Sequence, residues 1–149
     1  MKNQYGFPTV ELSYVGEKKD EKVVIKSAAD AAKALRSTYQ EGEMEMREYF
    51  KVLLLRRDNS VIGVHLLSMG GSDATVVDKK ILFCAALLSH AAAIIVSHNH
   101  PSGNLKPSVM DDKMTMDIAQ GCKVLGLSLL DHVILSEFGF YSYMDEGKL

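Results

Sequence analysis

The segment Ser97-His98-Asn99-His100-Pro101-Ser102-Gly103-Asn104-Leu105-Lys106-Pro107-Ser108-Val109-Met110-Asp111 concentrates side chains that can do chemistry. In an extended backbone, positions i and i+2 point the same way, so His98 and His100 converge on one point. Imidazole nitrogen and carboxylate oxygen are both good zinc ligands, and a catalytic zinc keeps three protein ligands plus water. Asp111 supplies the third if the loop turns back, and the Pro and Gly residues between it and His100 favour such a reversal. The same residues carry a plainer reading. Ser108-Val109-Met110-Asp111 is S-x-x-D ahead of a helical run, so Ser108 can be an N-cap with Asp111 answering it. The two readings are partly compatible, because a capped helix start holds Asp111 rigidly.

A zinc hydrolase also needs a proton acceptor beside the metal. Glu41, Glu43, Glu45 and Glu48 all precede an apolar strand, and spacing alone does not choose among them. Strand alternation puts Glu48, Phe50, Val52 and Leu54 on one face. Asp131 and His132 are adjacent on another strand and face opposite ways, so a regular strand cannot aim both at one site. The pair reads first as a tie between strand and loop, and second as one hydrogen bond behind a ligand histidine. His90 reads as a helix C-terminal residue facing the dipole. The Met110, Met114, Ile118 row reads as core packing, since thioethers suit soft metals and no Cys joins them. Gly70-Gly71-Ser72 lacks the Lys-Ser/Thr of a phosphate loop. Arg56-Arg57 reads as a solvated turn.

These groups need elements to hold them. Ala91 to Val96 is wholly apolar and reads as a buried strand that delivers the histidines into their loop. Val109 to Gln120 reads as a helix closed by Gly121. The apolar second half of Glu43 to Leu55 reads as a central strand, and Val61 to Met69 as an antiparallel neighbour joined by a short turn. Ala28 to Tyr39 is a helix behind the Ser27–Asp30 capping box, and Asp78 to Ser89 is another. In the latter, Ile81, Leu82, Ala85 and Leu88 are spaced for burial. Leu127 to Leu135 and Gly139 to Met144 are the last strands. Thr9 to Val15 and Lys22 to Ile25 read as an N-terminal strand hairpin. Helices alternating with strands, plus antiparallel hairpins, give an α/β fold with a mixed sheet flanked by helices.

His98-Asn99-His100-Pro101, six residues, Ser108, two residues and Asp111 resemble the JAMM (MPN, or JAB) metalloprotease signature. The HNHPSG loop and the later Asp131-His132-Val133-Ile134 are most similar to its RadC-like branch, over about Ile25 to the C-terminus. The resemblance implies a cytidine deaminase-like architecture, with His98, His100 and Asp111 as zinc ligands. Glu48-Tyr49-Phe50-Lys51-Val52-Leu53-Leu54-Leu55 is similar to the E-x-F-x-V-L-x-L of RadC-like chains, which implies Glu48 as general base. Ser108 is implied as donor to a developing oxyanion, a role not easily combined with a full N-cap. The implied activity is metallopeptidase or isopeptidase hydrolysis of an amide in a peptide or protein substrate. The implied division is an extension over 1–26 and a RadC-like domain over 27–149, without the DNA-binding helix-hairpin-helix of longer RadC-like proteins.

Composition bounds the alternatives. The chain has 149 residues, enough for one domain with a real core, and its 47% hydrophobic and 24% charged residues are ordinary for a globular protein. A net charge of −2 offers no basic field for nucleic acid, which weighs against a DNA-repair role. A binding domain without turnover is the other alternative. A zinc deaminase would need H-x-E and P-C-x-x-C, and neither is present. Cys84 and Cys122 read as reduced, buried thiols. The first residues lack a signal peptide's apolar centre, and no apolar run reaches the ~20 residues of a membrane span, so a cytoplasmic location is expected.

Overall fold

The computed structural model describes residue 6, residues 21–70 and residues 76–149. In order the elements are α1 (Ala28–Arg36), α2 (Glu43–Met46), β1 (Tyr49–Leu55), β2 (Val61–Met69), α3 (Lys79–Leu88), β3 (Ala93–Asn99), α4 (Val109–Leu125), β4 (Ser128–Leu135) and β5 (Phe140–Ser142). The strands form one sheet in the order β2-β1-β3-β4-β5. β3 and β4 are parallel, joined through α4, while β1–β2, β1–β3 and β4–β5 are antiparallel. The fold is therefore α/β with a mixed sheet, as expected.

Alternation along the central strands sorts the core into two layers. Phe50, Val52, Leu54, Ile94 and Val96 pack with Leu82 and Ala86 of α3 and Ile118 and Cys122 of α4. Leu53, Leu55, Ile95, Val133 and Leu135 pack on the other side with Ala31, Ala32 and Leu35 of α1. Burial on both faces explains why β1 and β3 are near-continuous apolar runs. β2, at the end of the strand order, is only partly covered.

Several expectations change. Thr9 to Val15 and Gly71-Ser72 lie outside the described residues. Lys22 to Ile25 is not a strand of the sheet; Val24 makes an isolated antiparallel bridge to Ser60 instead. α1 stops at Arg36, three residues early, because Thr38 and Tyr39 turn back onto the carbonyls of Leu35 and Arg36. Gly121 does not end α4. That helix runs to Leu125 and closes at Gly126, whose φ of 69° suits a left-handed cap. Gly121 instead admits the Phe83 ring, and a Cβ there would lie 2.3 Å from Phe83 Cζ. On α3, Leu82 and Ala86 are buried, while Ile81 and Leu88 are exposed. Cys84 is exposed, on the outer side of the same helix; only Cys122 is buried. Met110 also faces outward, so the Met row is core at Ile118 and surface at its start.

Candidate metal centre

β3 stays extended through His98 and Asn99, so the alternation that carries Ile94 and Val96 into the α3–α4 layer carries His98 there too. His100 follows just past the strand end, where its N–H donates to the Leu135 carbonyl at 3.0 Å. The loop then turns at Gly103, with φ of 81°, and α4 begins. The Ser108 hydroxyl accepts from the Asp111 N–H at 3.0 Å, and the Asp111 carboxylate accepts from the Ser108 N–H at 2.7 Å. The capping box is thus real, and it aims Asp111 back at the histidines.

His98 Nε2 and His100 Nε2 lie 2.9 Å apart. Asp111 Oδ1 is 3.2 Å from His98 Nε2, and Oδ2 is 3.5 Å from His100 Nε2. A tetrahedral ion with bonds of about 2.0–2.2 Å separates its ligand atoms by roughly 3.3–3.6 Å, which the two histidine–aspartate distances approach and the shorter histidine–histidine distance would reach by opening slightly around the ion. His100 Nδ1 contacts the Asn104 carbonyl, an oxygen that can only accept, so Nδ1 donates and the neutral ring presents a bare Nε2. Among the described residues, these three form a group able to hold a metal ion. The Asp111 carboxylate raises the His100 pKa against the opposing effect of burial. Burial also disfavours the charged form of Asp111, but the neighbouring His100 and His98 outweigh it and hold the carboxyl well below its usual range.

Glu48 lies one residue before β1, on the same face as Phe50, and lines the same cavity of about 650 Å³ as His98, His100, Ser108 and Asp111. Its carboxyl is pushed up by burial, with the two histidines opposing. Its backbone is held on both sides. The Glu48 carbonyl accepts from Gly70 N–H at 2.8 Å. Asn99 spans it from the back of the sheet, accepting from Tyr49 N–H at 2.8 Å and donating to the Arg47 and Met44 carbonyls at 2.9 and 2.8 Å. Asn99 was not singled out by sequence reasoning, although an amide fixed between the two histidines was visible there.

The parallel pairing of β3 with β4 adds a second group, the one offered by the second reading of the Asp131-His132 pair. A register shift in that pairing sets His132 opposite Val96. His132 is fully buried, its Nε2 is 2.8 Å from His98 Nδ1, and its Nδ1 is 2.6 Å from the Thr115 hydroxyl. Burial, reinforced by the nearby His98, keeps it neutral by lowering its pKa well below the usual range. Asp131 faces the other way, accepting from Ser142 Oγ and from the N–H groups of His132 and Met144. The strand-to-loop tie thus describes Asp131 alone, and His132 is the partner behind a ligand-type histidine.

No helix among the described residues is long and apolar enough to cross a membrane. Residues 25–148 match the family model described as the RadC-like JAB domain. The chain is 41% identical over 103 residues to the UPF0758 protein of Thermotoga maritima, covering 69% of this chain and 46% of that one. It is 35% identical over 130 residues to the UPF0758 protein of Methanococcoides burtonii, covering 87% of this chain and 56% of the relative. The chain thus spans about half the length of these curated relatives. With the family model matched along almost all of the chain, and the histidines and aspartate of its loop gathered at one point, this protein belongs to the RadC-like JAB domain family.

Proposed function

We propose that this domain is a zinc-dependent hydrolase that cleaves an amide bond in a peptide or protein. One observation carries the reading: three ligand-type atoms converge at one wall of a cavity whose lining also includes a half-buried carboxylate, Glu48. His98, His100 and Asp111 would hold the ion, and two imidazoles with one carboxylate is a set that suits zinc. Zinc held there supplies Lewis acidity, lowering the pKa of water toward about 7 and polarising a carbonyl.

The chain's own residues supply the remainder. Glu48 accepts the proton of the attacking water and later delivers it to the leaving amine. Burial raises its pKa, which makes the carboxylate a stronger base. Ser108 uses an oxygen lone pair for its cap to Asp111, which leaves its O–H proton free to donate to the oxyanion of the tetrahedral intermediate. Capping and oxyanion donation therefore do not compete for the same part of the hydroxyl. Val109, Met110 and Met114 line the cavity beside these groups and offer apolar surface to substrate side chains.

The test is Glu48→Gln. It should bind zinc as the parent does and lose amide turnover by about 10²–10⁴-fold, the usual contribution of a positioned acid–base group. Trapping with this variant, followed by identification of what stays bound, gives the substrate. Loss of zinc in the variant would make Glu48 a ligand and overturn its assignment as base.

A further inference from the structure

We infer that Thr115 is a positioning residue that sets the tautomer of His98, through His132, so that Nε2 is left bare toward the metal site. The inference rests on His98 being a ligand. It comes from counting protons along a chain of three contacts. Three contacts run from the helix backbone to the ligand histidine. Thr115 Oγ1 is 2.7 Å from the Asp111 carbonyl, the same hydroxyl is 2.6 Å from His132 Nδ1, and His132 Nε2 is 2.8 Å from His98 Nδ1.

A carbonyl oxygen only accepts, so the Thr115 hydroxyl donates to Asp111. Its oxygen then accepts, and His132 donates from Nδ1. A neutral imidazole has one N–H, so His132 Nε2 is an acceptor and His98 must donate to it from Nδ1. His98 Nε2 is left with its lone pair, facing Asp111 and His100. The reverse circuit would send the Thr115 proton to His132, leave the 2.7 Å oxygen–oxygen contact without a hydrogen, and put the His98 proton on Nε2. Only the forward direction places one proton in each of these three contacts, and it leaves the 3.2 Å contact of His98 Nε2 with Asp111 Oδ1 without a proton, as a shared cation requires.

The arrangement is local in origin and reaches across the fold. Thr115 lies four residues after Asp111, and its back-bond to the Asp111 carbonyl is the ordinary one for a helical threonine. The helix that presents the carboxylate ligand thus also dictates the proton on the strand that presents a histidine ligand. His132 is held in plane by stacking on Tyr143, with ring centroids 4.8 Å apart and planes 8° from parallel.

The experiment is ¹⁵N-histidine NMR on the metal-free protein, joined to zinc affinity by chelator competition for Thr115→Val and Thr115→Ser. The expected parent spectrum has His98 and His132 both protonated at Nδ1. Thr115→Val keeps the shape and removes the hydroxyl. It should disturb both tautomers and weaken zinc binding about 10–100-fold, as loss of a partner behind a ligand does. Thr115→Ser should restore both. His98 protonated at Nε2 in the parent would overturn the inference whatever the variants do. So would a Thr115→Val protein with unchanged tautomers and parental affinity. A parent protein that shows the expected tautomers but binds no zinc would refute the metal reading and leave the proton circuit standing.

Discussion

Two buried polar clusters sit back to back at the same end of the sheet, and they differ in what they leave over. Behind the sheet, Asn99 satisfies the backbone around Glu48, and Lys51 donates to the Thr38 carbonyl and hydroxyl at 3.0 and 2.9 Å with its ammonium 3.4 Å above the Tyr39 ring centre. Each strong donor there has an acceptor, and burial is tolerable because of it. In front of the sheet, two Nε2 atoms and a carboxylate point at one another beside an open cavity. Acceptors gathered without donors call for a shared cation. The rear cluster is complete in itself; on the proposed reading the front one is completed by a bound ion. Paired polar groups hold a fold together, and converging lone pairs mark the place where something binds.

If that contrast is right, damage to the two clusters should separate. Removing Asn99 leaves Tyr49 N–H and the Met44 and Arg47 carbonyls short of a partner, so Asn99→Ala should cost about 3 kcal/mol in urea unfolding of the metal-free protein. Its zinc affinity should fall less than tenfold, because the amide bonds to Tyr49, Met44 and Arg47 and to neither His98 nor His100. Equal losses in stability and affinity would erase the distinction between the clusters. Gly121→Ala, which touches neither, drives a methyl into the Phe83 ring and should lower stability by about 1–3 kcal/mol with unchanged zinc affinity. A smaller effect is expected at His90, which follows the end of α3 with φ of 54°. His90→Gly should raise stability by about 1 kcal/mol, seen as a higher denaturation midpoint. The cysteines offer a probe without mutation. A thiol reagent should modify exposed Cys84 quickly, while Cys122, buried and with its pKa pushed up to about 11, should react only on unfolding.

The front cluster was more legible in the sequence than the rear one, for a physical reason. His98 and His100 obey strand alternation, and Asp111 sits in a local capping box, so the loop brings its own three side chains together. Glu48 needed strand parity and the family resemblance together, since the neighbouring glutamates are chemically equal in the sequence. That one of Asp131 and His132 backs a histidine of the loop was readable as a second alternative, but not which one, because the pair enters through a parallel pairing across a whole helix and a register shift decides which faces the site. Gly121 was misread because a glycine that stops a helix and a glycine that admits a ring from its neighbour are the same letter. Cys84, Ile81 and Leu88 were misplaced because an apolar helix over a sheet conceals which stripe is covered.

The most direct test is metal content. The parent protein, purified in the presence of divalent ions and dialysed, should carry one zinc per chain by elemental analysis, and the His98→Ala, His100→Ala double variant should carry none while keeping its helix and sheet content by circular dichroism. A folded parent without metal, or a double variant that retains the parent's metal, would contradict the account.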